Sequence, residues 1–173
     1  MTHESEVSTT VRVGIPRAKA WELLQDLTLA HHYVPGLVKT EITTEAKKGV
    51  GASRRVYQRP TSGIDETVEE WNEGHDLLIR LHRGTAGPPF PFAAAHFRYA
   101  IEEDGDSTLL TTSLRYTMRG GALGRFLDRC LLRRIIDRTI RDVALSQRCY
   151  YETGKPVTPR QLKEARAAFR RGR

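Results

Sequence analysis

In the stretch GASRRVYQRP, Arg55 and Tyr57 stand two residues apart, the spacing that sets both on one face of a strand. A guanidinium beside a phenol pairs a cation with a proton donor, groups suited to an enolate oxygen during proton transfer. Arg54 and Val56 then point the other way, and alternation alone leaves open which face turns inward. A second set of candidates is aromatic. The segment AGPPFPFAAAHF places Phe90 and Phe92 among Pro88, Pro89 and Pro91 and contains no acidic residue, Lys or Arg. Each proline lacks an N–H donor and pushes the residue before it out of the α region, so the segment starts as a stiff loop rather than a helix. Its two rings either form a flap over a hydrophobic cavity or pack on the edge of the core.

Other chemistries find little support. His31 and His32 are adjacent, and His75, His82 and His96 are scattered, without the helical spacing or cysteine partners of a zinc site. No metal is expected. The chain has no P-loop, no G-x-S-x-G elbow and no CxxC, so no cofactor is expected and most common enzyme mechanisms lose their sequence support. Cys130 and Cys149 fall within one predicted helix, about 28 Å apart at the helical rise, too far to bridge; both are expected to be reduced and structural.

The chain has 173 residues, 39% hydrophobic and 28% charged, the size and composition of one ordinary globular domain. Its net charge of +7 is unevenly spread. Residues 1–118 hold 13 Lys and Arg against 16 Asp and Glu, a net of −3, whereas residues 119–173 hold 15 against 5, a net of +10. Such a basic segment attracts phosphate, nucleic acid or anionic lipid, although solvated arginine faces are common on helices. Phe169 is the one aromatic residue among the tail arginines, which argues against nucleic acid, since bases need rings to stack on. Peripheral contact with an anionic membrane through the basic C-terminal region stays open. No run reaches the roughly 20 apolar residues of a membrane helix, and MTHESEVSTT has no basic and apolar leader. A cytoplasmic location is therefore expected.

The elements that must position these residues follow from periodicity. Residues Glu6–Val13 alternate as a half-buried strand, and IPRAKAWELLQDL reads as a helix opened by Pro16. LAHHYVPG adds a short helical turn. Six further strands are predicted over Leu37–Glu45, Gly51–Gln58, Ile64–Trp71, Asp76–Arg83, Ala94–Glu102 and Thr108–Thr117, separated by turn-rich segments. After Gly120 and Gly121 the period becomes helical and holds to about Tyr151, with Leu132, Ile136, Ile140, Val143, Gln147 and Tyr150 on one stripe and Arg125, Arg129, Arg133, Arg134, Arg138 and Arg141 on other faces. Thr158, Pro159 and Gln161 open a separate short helix with a weak capping box. This order predicts an α+β fold in which a curved antiparallel sheet of about seven strands wraps a long C-terminal helix, with short helices after the first strand. One helix cannot fill the concave face of such a sheet, so interior space is expected.

On the segments VRVGIPRAKAWELLQDL, GLVKTEI, KKGVGASRRVY, DETVEEW, GGALGRFLDRCLLRRIIDR and YYETGKP, the chain resembles the SRPBCC or START-like superfamily, the helix-grip fold, nearest its polyketide cyclase/dehydrase and lipid-transport group. The resemblance covers residues 5 to about 155 and rests on diffuse apolar and glycine positions. It implies a helix-grip domain over residues 1–155 with a deep apolar pocket between sheet and long helix for ligands such as lipids, steroids or polyketides; the capping residues and arginines after it set residues 156–173 apart as a basic helical tail. Phe90 and Phe92 would border the pocket mouth. Phe97, Tyr99, Leu114 and Tyr116 from the sheet, with Ile136, Ile140 and Val143 from the helix, form the expected wall, unless they fill a solid core.

The function expected first is binding of a hydrophobic or amphipathic small molecule, lipid or polyketide-like, in a cavity of roughly 300–1,000 Å³, with cyclase or aromatase action as an extension. A second reading is a polyketide cyclase or dehydratase that works without a cofactor, Arg55 and Tyr57 being its candidates for orienting a poly-β-ketone. A third is an interaction module docking through the basic C-terminal third. Polar side chains inside the pocket separate the second reading from a purely apolar carrier. The ligand and the oligomeric state are not encoded in any motif.

Overall fold

A computed structural model describes residues 4–172, apart from the side chains of Leu123, Arg125, Leu127 and Cys130. The expectations for Arg125 and Cys130 thus lie outside the described residues; Cys149 carries a free thiol. Strand β1 (Glu4–Val13) leads into helices α1 (Arg17–Leu24) and α2 (Ala30–Tyr33). Six strands follow, β2 (Lys39–Ile42), β3 (Ser53–Arg59), β4 (Ser62–Asn72), β5 (Asp76–His82), β6 (Phe92–Asp104) and β7 (Ser107–Met118). They form one seven-stranded sheet in the order β1-β7-β6-β5-β4-β3-β2, and every neighbouring pair is antiparallel. Register shifts at Tyr57/Arg59, Val68/Glu70 and Phe92/Ala94 bend three of the strands, which helps the sheet curl around its contents.

The strand expected over Leu37–Glu45 keeps only Lys39–Ile42. Beyond it Thr44 turns back on the chain, its hydroxyl donating to the Ala46 carbonyl and accepting the Ser53 N–H. The long helix is also interrupted. Helix α3 (Gly121–Leu127) passes through a wide π turn (Asp128–Leu132) into α4 (Arg133–Thr153). Asp128 in that turn is buried and accepts from Ser5 of β1 and Tyr116 of β7; such wide turns re-aim a side chain that the regular helical period would misplace. Gly154 ends α4 in the left-handed conformation, φ 67°, which suits glycine.

The final helix, α5 (Pro159–Arg171), opens on the Thr158–Gln161 capping box. It is not detached from the rest. Leu162 is buried in the main core cluster, and Arg166 grips Asp142 of α4 with two hydrogen bonds of 2.7 Å. The core itself has two apolar clusters on the inner face of the sheet, one under α1 and the C-terminal half of α4, the other between the N-terminal half of α4 and β5, β6 and β7. Phe97 packs against both. Among the described residues no helix is long and apolar enough to cross a membrane.

Candidate ligand-binding site

The strand period decides what the concave face holds. On β3 Arg54 and Val56 are buried, and on β4 Glu66 and Val68 are buried. Arg54 donates Nε–H to Glu66 Oε2 at 2.6 Å and Nη1–H to the Leu27 carbonyl at 3.0 Å; the two side chains are 3% and 9% exposed. The phenols of Tyr33 from α2 and Tyr99 from β6 lie against this guanidinium. Burial alone would favour a neutral Arg54, but the facing Glu66 carboxylate and the two tyrosines outweigh it and hold the cation more firmly than usual. Burial also pushes both phenols up, so they remain protonated donors through the neutral range. Farther along α4, fully buried Gln147 donates to the Tyr151 hydroxyl at 2.9 Å and accepts from Thr112 at 3.3 Å. At the other end Tyr116 donates to Asp128 at 2.7 Å, and burial, then Asp128, raises its pKa.

The remaining lining is apolar. Ile64, Phe92, Phe97, Met118 and Leu132 pack against the second cluster yet are only partly buried. These five side chains point inward and keep partial contact with solvent. These residues converge at one end of the fold, where the β5–β6 connection meets the junction of β7 and α3: Arg119 N–H bonds the Pro91 carbonyl at 3.0 Å, and Arg119 Nε–H bonds the Phe92 carbonyl at 2.7 Å. Elsewhere a cavity of about 310 Å³ between α2 and α5 is lined by His31, His32, Tyr33, Ser146, Leu162 and Arg166 among others. Tyr33 thus borders that cavity as well as the buried arginine. Among the described residues no group of three or more metal-ligating side chains comes together.

Of the residues singled out in the sequence, Tyr99, Leu114, Tyr116, Ile136, Ile140 and Val143 are buried between sheet and α4, with Phe97 half-buried beside them. The two rings of the proline loop part company. Phe92 sets its edge on Tyr116 with centroids 5.4 Å apart, whereas Phe90 is 83% exposed and lines no interior wall. Arg55 and Tyr57 need correction too, because Arg54 and Val56 take the inner face of β3. Arg55 binds Asp65 in a two-pronged pair at 2.7 and 3.0 Å, and Tyr57 donates to Glu41 at 2.6 Å, both on the convex side. Other polar groups that face inward, Arg54, Glu66, Tyr33, Gln147 and Tyr151 among them, are not among the site residues expected from the sequence. One signal was available: a strand containing Arg54 and Arg55 in succession must turn one arginine inward in either orientation.

The sequence profile of a family described as polyketide cyclase/dehydrase and lipid transport matches residues 4–147. A START superfamily protein from Mycobacterium smegmatis superposes with a TM-score of 0.66 at 18% identity, covering 87% of this chain and 99% of that one. The Zhui aromatase/cyclase from Streptomyces sp. R1128 gives 0.60 at 16% identity, covering 90% and 100%. Norcoclaurine synthase from Thalictrum flavum, in complex with dopamine and hydroxybenzaldehyde, gives 0.63 at 16% identity, covering 86% of each chain. At such identities the likeness is one of fold, the helix-grip arrangement of a curved sheet around a C-terminal helix. No curated protein matches the chain.

Proposed function

The chain belongs to the family of polyketide cyclases/dehydrases and lipid-transport proteins, and from that premise we propose that it binds a hydrophobic or amphipathic small molecule between the concave sheet and α4. The observation that carries this reading is the water-accessible apolar set of Ile64, Phe92, Phe97, Met118 and Leu132 on the inner face. A ligand entering beside the β5–β6 connection would cover these side chains and release the water against them, about 25 cal/mol for each Å² of apolar surface removed. Native mass spectrometry of the purified protein, followed by denaturation and extraction, tests it. A copurifying lipid or aromatic compound is expected, with weaker retention in Phe97→Ala. A protein that arrives empty and shows no melting shift with fatty acids, sterols or aromatic polyketides would refute it.

Arg54 with Tyr33 and Tyr99 favours a second, more specific reading, a cyclase or dehydratase that needs no cofactor. In this reading the Glu66 carboxylate beside Arg54 takes a proton from the carbon between two ketones and leaves charge on an enolate oxygen, ring closure moves that charge to an alkoxide, and the proton a phenol lends to the alkoxide is returned from Glu66. A fixed cation in a dry site holds such an anion far better than water does. Protonated phenols supply the proton that quenches it. Tyr33→Phe and Tyr99→Phe remove one hydroxyl each, and the reading predicts slower cyclisation of a poly-β-keto thioester with ligand binding retained. Full activity in both variants would leave the binding reading standing alone.

A further inference from the structure

The outward side of the long helical run carries a pattern that the interior does not explain. Ile136, Ile140 and Val143 are buried against the sheet, so the opposite side of an amphipathic helix should be polar. Instead Phe126, Leu131 and Ile135 are 62%, 59% and 52% exposed. Leu131, Arg134, Ile135 and Arg138 follow one another at i, i+3, i+4 and i+7, which is one stripe of a helix. The wide turn over Asp128–Leu132 brings Phe126, five residues before Leu131, toward that stripe. Phe90 projects from the neighbouring loop, which Arg119 ties to the start of α3. Arg141 is paired with Asp137, whereas Arg129, Arg134 and Arg138 have no acidic partner among the described residues.

We infer that this face docks on an anionic phospholipid bilayer, with Phe90, Phe126, Leu131 and Ile135 entering the boundary of the acyl chains and Arg134 and Arg138 meeting lipid phosphates. Large apolar side chains interleaved with arginines on one exposed stripe are the mark of a helix that lies in a membrane interface. The net charge of +10 in residues 119–173 supplies the attraction. A second copy of the chain fits poorly, because a two-fold pairing would set Arg134 and Arg138 of one copy near those of the other. Phe126 and Ile135 stand about 13 Å apart along the helix; a rigid protein partner must match each anchor separately, and a fluid bilayer need not. Leu132 and Phe92, which point inward beside the β5–β6 connection, are chain neighbours of Leu131 and within two residues of Phe90, so docking sets the proposed ligand entry against the membrane. The docking itself does not depend on what the interior holds.

The test is sedimentation of the full chain with vesicles of phosphatidylcholine alone and of phosphatidylcholine with about three-tenths phosphatidylglycerol. Binding to the anionic vesicles alone is expected, falling steeply with added salt. Arg134→Gln and Arg138→Gln should each weaken it about fivefold, and Leu131→Ser with Ile135→Ser about tenfold or more. All four positions are exposed, so unchanged melting temperatures are expected and serve as the folding control. Equal binding to both vesicle types, or variants that bind as the parent does, overturns the inference. So does a dimer in analytical ultracentrifugation that Leu131→Ser and Ile135→Ser dissolve, which would assign the face to a second copy.

Discussion

Replacing Glu66 by Gln probes the centre of the inner face. The side chain keeps its shape, but the charge that faces Arg54 disappears. The guanidinium cannot answer by losing its proton, and at 3% exposure it has almost no water to turn to. With the contact at 2.6 Å and charge centres about 4 Å apart, the lost attraction is about 4 kcal/mol at an effective dielectric constant near 20. That lies within the roughly 3–5 kcal/mol that breaking a buried pair costs. The Leu27 carbonyl, the two phenols and the new amide oxygen soften the loss, so about 3 kcal/mol is expected. For a chain of this length that lowers the melting temperature by roughly 6–12 °C. Urea denaturation of the single variant and of the double variant Arg54→Met with Glu66→Leu separates charge from packing. The double variant should recover most of the loss, because two apolar side chains of similar volume leave no buried charge. A Glu66→Gln protein within about 1 kcal/mol of the parent would refute the reasoning, since it would mean that water reaches Arg54 freely.

Further outcomes follow from the same geometry. Arg55→Gln should leave the urea midpoint nearly unchanged, because the Arg55 side chain is 45% exposed and water screens its pair with Asp65, and it should leave ligand retention unchanged. The hydrogen bonds from Arg55 hold the Asp65 carboxyl below its ordinary value. Its contribution to stability is therefore complete above that ordinary value and is lost as pH falls through the lowered one, so Asp65→Asn should flatten the acid limb of stability measured from about pH 6 to about pH 2. Gly124→Ala would set a Cβ 1.9 Å from the Arg119 carbonyl oxygen, forcing the β7–α3 junction apart at a cost of about 1–3 kcal/mol in thermal or urea denaturation. Phe92→Ala should destabilise by about 1–3 kcal/mol through its half-buried contact with Tyr116, while Phe90→Ala stays within about 0.5 kcal/mol of the parent.

The fold was legible because its signals are local. Period-two burial in β1 and β7, glycine-rich turns between strands and the stripe through Ile136, Ile140 and Val143 each announce an element within about ten residues of sequence. The strand expected from Leu37 ran long because Thr44 turns the chain by a side-chain hydrogen bond that competes with strand pairing. The wide turn at Asp128 was missed for a different reason. Its partners Ser5 and Tyr116 are distant in sequence, and nothing near Asp128 marks it as an acceptor for them.

The candidate site divides along the same line. The sequence by itself determined the element order, the two faces of each strand as sets and the apolar stripe that must be covered. Only the tertiary structure decided which set faces in. Arg54 and Arg55 are identical in type and adjacent, yet one is buried against Glu66, Tyr33 and Tyr99, and the other pairs with Asp65 on the convex side. Phe90 and Phe92 are separated by a single proline, yet one ring meets solvent and the other meets Tyr116. A strand's alternation is symmetric between its two faces. That symmetry is broken by what lies across from it, and α4, which does so here, begins more than seventy residues after β3 ends.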